Sequence, residues 1–152
     1  MERHYKFSKE SLQKLAGVHP DLVSFMKELI SVSNLDFKVT AGVRTAPQQN
    51  ALYQQGRTRK GSVVTRCDGY KYPSNHQEKI DGYGYAADVC ILKYTTKGDI
   101  DWNFKYYKEL YEIAKKNGLL EKYRIEWAGN WISFPEGAHF QLINARNIPF
   151  KK

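Results

Sequence analysis

The sequence predicts an α+β fold: one domain over residues 1–152, with a small, mostly antiparallel sheet packed by helices. Three observations lead there. Helix-spaced apolar stripes occur early and late in the chain. Short alternating segments that read as strands lie between and after them, and no internal repeat or low-complexity tract interrupts the order. At 152 residues the chain is long enough to bury a sizeable core without staples.

Ser8 is an N-cap for a first helix through Leu12, Leu15 and Ala16, with Gly17 as its stop. A second helix starts at His19-Pro20-Asp21, where proline suits the first turn and Asp21 complements the dipole. Its residues Leu22, Phe25, Met26, Leu29 and Ile30 form one buried stripe, which makes Met26 core filler and His19 a helix-entry residue. Phe37 to Ala41 alternates as a strand does and leads into Gly42-Val43-Arg44-Thr45, and a third helix follows from Pro47 through Leu52 to Gly56.

Residues 56–83 are irregular, and a loop of that length in a compact domain is functional or mobile. Its Tyr70 and Tyr72, with Tyr83, either line a groove or face solvent. Tyr85 to Leu92 reads as a buried strand. Asp101-Trp102 opens the clearest helix, with Phe104, Tyr107, Tyr111 and Ala114 on one face and a stop at Asn117-Gly118 after Lys115-Lys116. Tyr123 to Trp127 is a further strand, turning at Gly129-Asn130.

Composition narrows the function classes. No apolar run approaches the roughly 20 residues that cross a bilayer, so no membrane insertion is expected. The charged start Met1-Glu2-Arg3-His4-Tyr5-Lys6 lacks the apolar region of a signal peptide, so the product is expected to stay in the cytoplasm until something releases it. Cys67 and Cys90 form no C-x-x-C pair and are expected as free thiols. The net charge of +8 implies attraction to a polyanion. Lys and Arg are scattered, with only Arg57-Thr58-Arg59-Lys60 as a cluster, which argues against a nucleic-acid interface.

The chemistry gathers around Phe134-Pro135-Glu136-Gly137-Ala138-His139-Phe140-Gln141-Leu142. Gly137 and Ala138 allow a tight turn. The strand that follows puts His139 and Gln141 on one face and Phe140 and Leu142 on the other, towards a core. Upstream lie Ser74-Asn75-His76 and Gly84-Tyr85-Ala86-Ala87-Asp88. Two histidines and an aspartate from separate segments, plus a free glutamate, make the inventory of a catalytic zinc site with an open fourth position.

These motifs resemble those of the zinc peptidases of bacterial cell walls. That family includes D-alanyl-D-alanine dipeptidases and carboxypeptidases, and phage endolysins that act as L-alanyl-D-glutamate peptidases. Its pattern is Ser-x-His, then Gly-x-Ala-x-Asp, then an acidic residue three before a His-Phe-Gln-Leu-like segment. The likeness runs from Lys6-Phe7-Ser8-Lys9-Glu10-Ser11 and Gly17-Val18-His19-Pro20-Asp21-Leu22 through Gly42-Val43-Arg44-Thr45 to Trp127-Ala128-Gly129-Asn130-Trp131 and Ala138-His139-Phe140-Gln141-Leu142. It is nearest to the endolysin branch.

The resemblance implies a hedgehog/DD-peptidase-like fold and one zinc ion held by His76, Asp88 and His139. It makes Glu136 the catalytic acid/base acting on a zinc-activated water, and Arg44 the residue that holds the scissile carbonyl and its developing oxyanion. Ser74 and Gln141 are carried over as substrate-binding residues, with Gln141 also a candidate partner for His139 on the same strand face.

Two departures stand out. Gln77 to Tyr83 intervene between the first histidine and Gly84, bringing Glu78 and Asp81 in as rival carboxylates. Asp88 is preferred, because it heads the apolar run Val89-Cys90-Ile91-Leu92 and a zinc ligand needs a rigid support; residues 77–83 are then expected to bulge out as a loop. Asn130 stands where relatives often carry Asp, an equivalent exchange if the residue only fixes a turn. Cys90 would share a strand face with Asp88 and is read as a small buried hydrophobe, and Glu126 is a weaker rival to Glu136 as base.

The expected protein is therefore a monomeric phage endolysin. It cleaves the L-alanyl-D-glutamate bond of the peptidoglycan stem peptide, waits in the host cytoplasm, and reaches the wall through a holin-type pore. A D-Ala-D-Ala carboxypeptidase of the same family and a non-catalytic basic zinc-binding module are the alternatives.

Overall fold

Capping chemistry sets the first helices where the sequence places them. In a computed structural model that describes residues 5–92 and 100–152, helix α1 spans Lys9–Lys14, and Ser8 Oγ accepts from Ser11 N at 3.2 Å. Helix α2, Pro20–Val32, is capped by a histidine: His19 Nδ1 accepts from Asp21 N at 3.1 Å. Helix α3, Ala46–Gln54, begins with a reciprocal Thr45/Gln48 capping box. The charged start Met1 to His4, on which the reading of the N-terminus rests, lies outside the described residues. Among the described residues no helix is long and apolar enough to cross a membrane.

The sheet is antiparallel throughout its named pairs. Strands β1 (Phe37–Ala41), β2 (Ala86–Leu92), β5 (His139–Leu142) and β4 (Ile125–Trp127) lie side by side in the order β1-β2-β5-β4, and the short β3 (Ile100–Asp101) pairs with the end of β2. The predicted α+β architecture is the one observed.

One face of this sheet makes the core. Phe37, Val39, Ala87, Val89, Ile91, Ile125, Trp127, Phe140 and Leu142 pack with the α2 stripe of Leu22, Phe25, Met26, Leu29 and Ile30. Phe25 is fully buried, and its ring lies 5.6 Å from that of Phe140. Burying side chains of this size contributes about 1.5–3 kcal/mol each. Because strand residues alternate, the same pleat that buries Phe140 and Leu142 sends His139 and Gln141 to the opposite face, with Asp88 and Glu126. Core packing thus sets the height and register of the site.

Two boundaries differ from expectation. The helix expected from Asp101-Trp102 starts later, as α4, Phe104–Lys116, with Asn103 as N-cap. Asp101 belongs to β3, and its carbonyl accepts from Tyr107 Oη at 2.9 Å. Leu110 is buried on α4 while Phe104 is half exposed, leaning on Trp127. The strand expected from Tyr123 is preceded by a short helix α5, Leu119–Tyr123, which Arg124 ends in the left-handed conformation at φ 56°. Tyr123 and Lys122 both donate to Glu28 of α2, and that tertiary contact draws the segment into a helix.

The 77–83 segment does not simply bulge away. Ile80 is exposed, but Lys79 is turned inward and fully buried. The C-terminal tail is stitched to the segment: Ile80 N donates to Pro149 O at 2.8 Å, Lys151 N donates to Glu78 O at 3.0 Å, and Lys79 bridges to Phe150.

Candidate active site

Asp88 occupies the crossing point of three strands. It stands opposite His139 in the β2–β5 register and opposite Ala41 across a bulge in β1. Its Oδ1 lies 3.1 Å from His139 Nδ1 and 3.3 Å from His76 Nε2, and its Oδ2 accepts from Arg44 Nη2 at 2.8 Å. Burial pushes the Asp88 pKa up, but the two imidazoles outweigh it and hold the carboxyl well below its ordinary range.

His76 comes from a turn. Ser74 Oγ accepts from His76 N at 3.2 Å, and Gln77 Oε1 accepts from Ser74 N at 2.9 Å. His76 Nδ1 lies 2.8 Å from the carbonyl of Gly42, which can only accept, so Nδ1 carries the proton and Nε2 a lone pair. A Cβ on Gly42 would fall 1.8 Å from the carbonyl oxygen of Lys14, so only glycine lets the backbone present that acceptor here. The buried Nε2 has no hydrogen-bond partner. Burial lowers the His76 pKa against the pull of Asp88.

His139 is fixed in the complementary way. Its Nε2 lies 2.8 Å from Gln141 Oε1, and Gln141 Nε2 donates to Glu126 Oε1 at 2.7 Å. The Gln141 amide is thereby oriented with its oxygen towards His139, so Nε2 holds the proton and Nδ1 faces Asp88. Asn75 Nδ2 also donates to Gln141 Oε1, at 3.2 Å, and Lys79 Nζ donates to Asn75 Oδ1 at 2.8 Å. Burial works to lower the His139 pKa, but the hydrogen bond and charge of Asp88 raise it.

In their neutral forms the two imidazoles thus turn one lone pair each towards the same carboxylate oxygen. The three ligand atoms lie within 4.8 Å of one another, the one such group among the described residues. Nitrogen and oxygen donors of this kind suit a divalent cation such as zinc, and an orphaned buried nitrogen aimed at a carboxylate is what a cation between them would satisfy. Asp81 and Glu78 are elsewhere: Asp81 accepts from Tyr85 and Tyr83, and Glu78 pairs with Lys151.

Glu136 lies beside this group with no part in it. Its Oε2 is 3.7 Å from His139 Nδ1, and its backbone is held by Glu136 N donating to Ala128 O at 3.1 Å. Trp127 Nε1 pins the next residue through Gly137 O at 2.6 Å. Burial is the main reason the Glu136 pKa is raised, with Asp88 adding to it and His139 and Arg44 opposing. Glu126, the rival base, is engaged with Gln141 and does not line the cleft.

His76, Asp88, His139, Glu136 and Arg44 open onto one cleft of about 740 Å³, walled by Phe104, Trp131 and Phe134 among others. Ser74 and Gln141 line it too, each with its polar atoms engaged by the site's own residues. Tyr70, Tyr72 and Tyr83 do not; all three face solvent. Cys90 is fully buried on the Asp88 face, paired with Lys38 and away from the cleft.

Three residues of the site carry no signal in the sequence. Gln49 of α3 is fully buried; its Oε1 accepts from Arg44 Nη1 at 3.1 Å, and its Nε2 donates to Thr65 Oγ1 and Cys67 O. Asn75 and Lys79 brace Gln141 from behind. Nothing in their spacing separates them from ordinary surface polar residues.

Three donors that could hold a cation, an unligated carboxylate beside them and a cleft along an antiparallel sheet are the parts that a hydrolytic metal centre uses. The chain belongs to the phage L-alanyl-D-glutamate peptidase family, whose model matches residues 3–143. It is 30% identical to the peptidoglycan L-alanyl-D-glutamate endopeptidase CwlK of Bacillus subtilis, over 93% of this chain and 84% of that one. It is 24% identical to the L-alanyl-D-glutamate peptidase of Escherichia phage T5, over 91% and 98% of the two chains. The fold matches that of the Serratia marcescens L-Ala D-Glu endopeptidase ChiX with a TM-score of 0.66 over 95% of each chain, at 23% identity.

Proposed function

We propose that this protein is a zinc-dependent endopeptidase that hydrolyses the L-alanyl-D-glutamate bond of peptidoglycan stem peptides and serves a phage as its endolysin. The observation that carries the reading is the convergence of His76 Nε2 and His139 Nδ1 on Asp88 Oδ1, next to a carboxylate, Glu136, that takes no part in that group. A purely structural site has no use for Glu136. The family and its named relatives supply the bond.

His76, Asp88 and His139 would hold the metal. Zinc, when bound, polarises a carbonyl oxygen and lowers the pKa of a coordinated water towards ~7. Glu136 takes a proton from the attacking water and passes it to the leaving amine, and its raised pKa makes it a better acceptor than an ordinary glutamate. Arg44 has two tasks. It turns Asp88 so that Oδ1 faces the imidazoles, and it places a fixed positive charge in the cleft where the carbonyl oxygen becomes negative. Gln141 and Glu126 keep His139 in the tautomer that leaves Nδ1 free.

The net charge of +8 favours approach to an anionic envelope. In this reading the enzyme acts as a monomer and passes from the host cytoplasm to the wall through a partner-made pore. Digestion of purified peptidoglycan, followed by analysis of the new termini, tests the proposal. New N-terminal D-glutamate with uncut glycan strands is expected. Release of free D-alanine alone would assign the carboxypeptidase activity instead, and new reducing ends would exclude a peptidase.

A further inference from the structure

Among the described residues two cations line the cleft, Arg44 and Arg66, and only Arg44 is paired with a carboxylate. Arg66 sits on the irregular loop after α3, but its mounting is firm. Its neighbours Thr65 and Cys67 are both held by the buried Gln49 amide, at 3.2 and 3.0 Å, and Gln49 in turn holds Arg44. Arg57 Nη2 adds a hydrogen bond to Thr65 O at 3.1 Å. The backbone under Arg66 is therefore locked to Gln49, the residue that also holds Arg44, and Arg44 orients Asp88.

The far end of the side chain is also placed. Arg66 Nη1 donates to Ser133 Oγ at 2.7 Å, and the guanidinium lies 5.2 Å from the centre of the Phe134 ring. Phe134 has φ 53°, uncommon for a bulky residue and a sign that surrounding contacts over-determine this backbone. Phe134 is two residues before Glu136. A guanidinium carries five N–H donors, and the partners Arg66 has here are a hydroxyl and an aromatic ring, both neutral. It is a positioned cation at the rim of the cleft, with no anion of its own among the described residues.

The proposed substrate supplies one. In an L-alanyl-D-glutamyl peptide the glutamate gives its nitrogen to the scissile amide and one carboxyl to the rest of the stem. Its other carboxyl stays ionised unless amidated, a few bonds from the reacting carbon. The cleft's own carboxylates, Asp88 and Glu136, would repel it, and Arg44 is already engaged. We propose that Arg66 forms the subsite for this free carboxylate, so that the enzyme distinguishes D-glutamyl stems from their amidated counterparts. The inference rests on the peptidase reading above and adds a specificity to it. A planar fork that can take a carboxylate in two parallel hydrogen bonds is the chemistry such a subsite needs.

The test uses two synthetic stem peptides that differ only in this carboxyl, one free and one a primary amide, with zinc-loaded wild type, Arg66→Gln and Arg66→Lys. Wild type should favour the free acid by about tenfold or more in kcat/KM, the scale of a charge-assisted hydrogen bond. Arg66→Gln should bring the ratio near one, and Arg66→Lys should keep part of it. If Arg66→Gln slows both peptides by the same factor, Arg66 only ties the loop to the Glu136 segment, and the subsite is wrong. Equal cleavage of the two peptides by wild type also overturns it, whether or not the variants fold. Cleavage of neither by wild type would overturn the peptidase reading, and the subsite with it.

Discussion

His76 Nε2 lies 3.3 Å from Asp88 Oδ1, fully buried, and makes no hydrogen bond. A buried polar atom left in this state costs about 1–3 kcal/mol, and here the neighbouring atom is a carboxylate oxygen that also lacks a hydrogen to offer. The Gly42 carbonyl on the other side of the ring blocks the tautomer that would relieve the contact. A metal ion held by His76 and Asp88 would relieve it. His139, presented in mirror fashion by Gln141, completes the set.

The choice among the three carboxylates of the 78–88 region follows from this geometry. Asp88→Asn should sharply weaken zinc binding, measured by metal content after dialysis, because its Oδ1 is the atom on which both imidazoles converge. Asp81→Asn should leave the metal in place, since its carboxylate serves Tyr83 and Tyr85. The reverse pattern would mean that the metal is held elsewhere.

Glu136→Gln separates chemistry from binding. The variant keeps the shape and the backbone anchors at Ala128 and Gly137, and should retain zinc and fold. Turnover should fall by ~10²-fold or more, the usual scale for loss of a general base. Near-normal turnover would remove Glu136 from the role.

Lys79 gives the protein a pH signature. Burial, with Asp81 opposing, pushes its pKa down to about 8. A lysine in the unfolded chain holds its proton to about 10.4, so between the two values the unfolded state binds more protons and stability rises with pH. Below the folded pKa both states are protonated, and the cost of the buried charge stands in full. Denaturant titrations of wild type and Lys79→Met should therefore diverge in favour of wild type as pH rises from about 8 to about 10. A pH-independent difference would show that Lys79 does not titrate as its burial demands.

Much of this was legible in the sequence because it is periodic or local. The α2 stripe from Leu22 to Ile30, strand β1 and the alternation of β5 follow from spacing alone, and the cap at Ser8 from residue type. What escaped depends on distant contacts. Tyr123 looks like a strand residue until Glu28 is seen to receive its hydroxyl, and Asp101 looks like a helix start until Tyr107 claims its carbonyl. At the site, His76, Asp88, His139 and Glu136 were found through motif context, and the structure brings all four together. Gln49 and Lys79 were not, because a buried polar side chain is distinguished from an exposed one only by the elements that close over it.

Zinc titration of metal-stripped protein, followed by release of new N-terminal D-glutamate from peptidoglycan, tests the central claim most directly. Activity should be absent without metal, rise with added zinc and level off at one equivalent per chain, the stoichiometry of a single His76–Asp88–His139 centre. Full activity in protein shown by elemental analysis to hold no metal would contradict it.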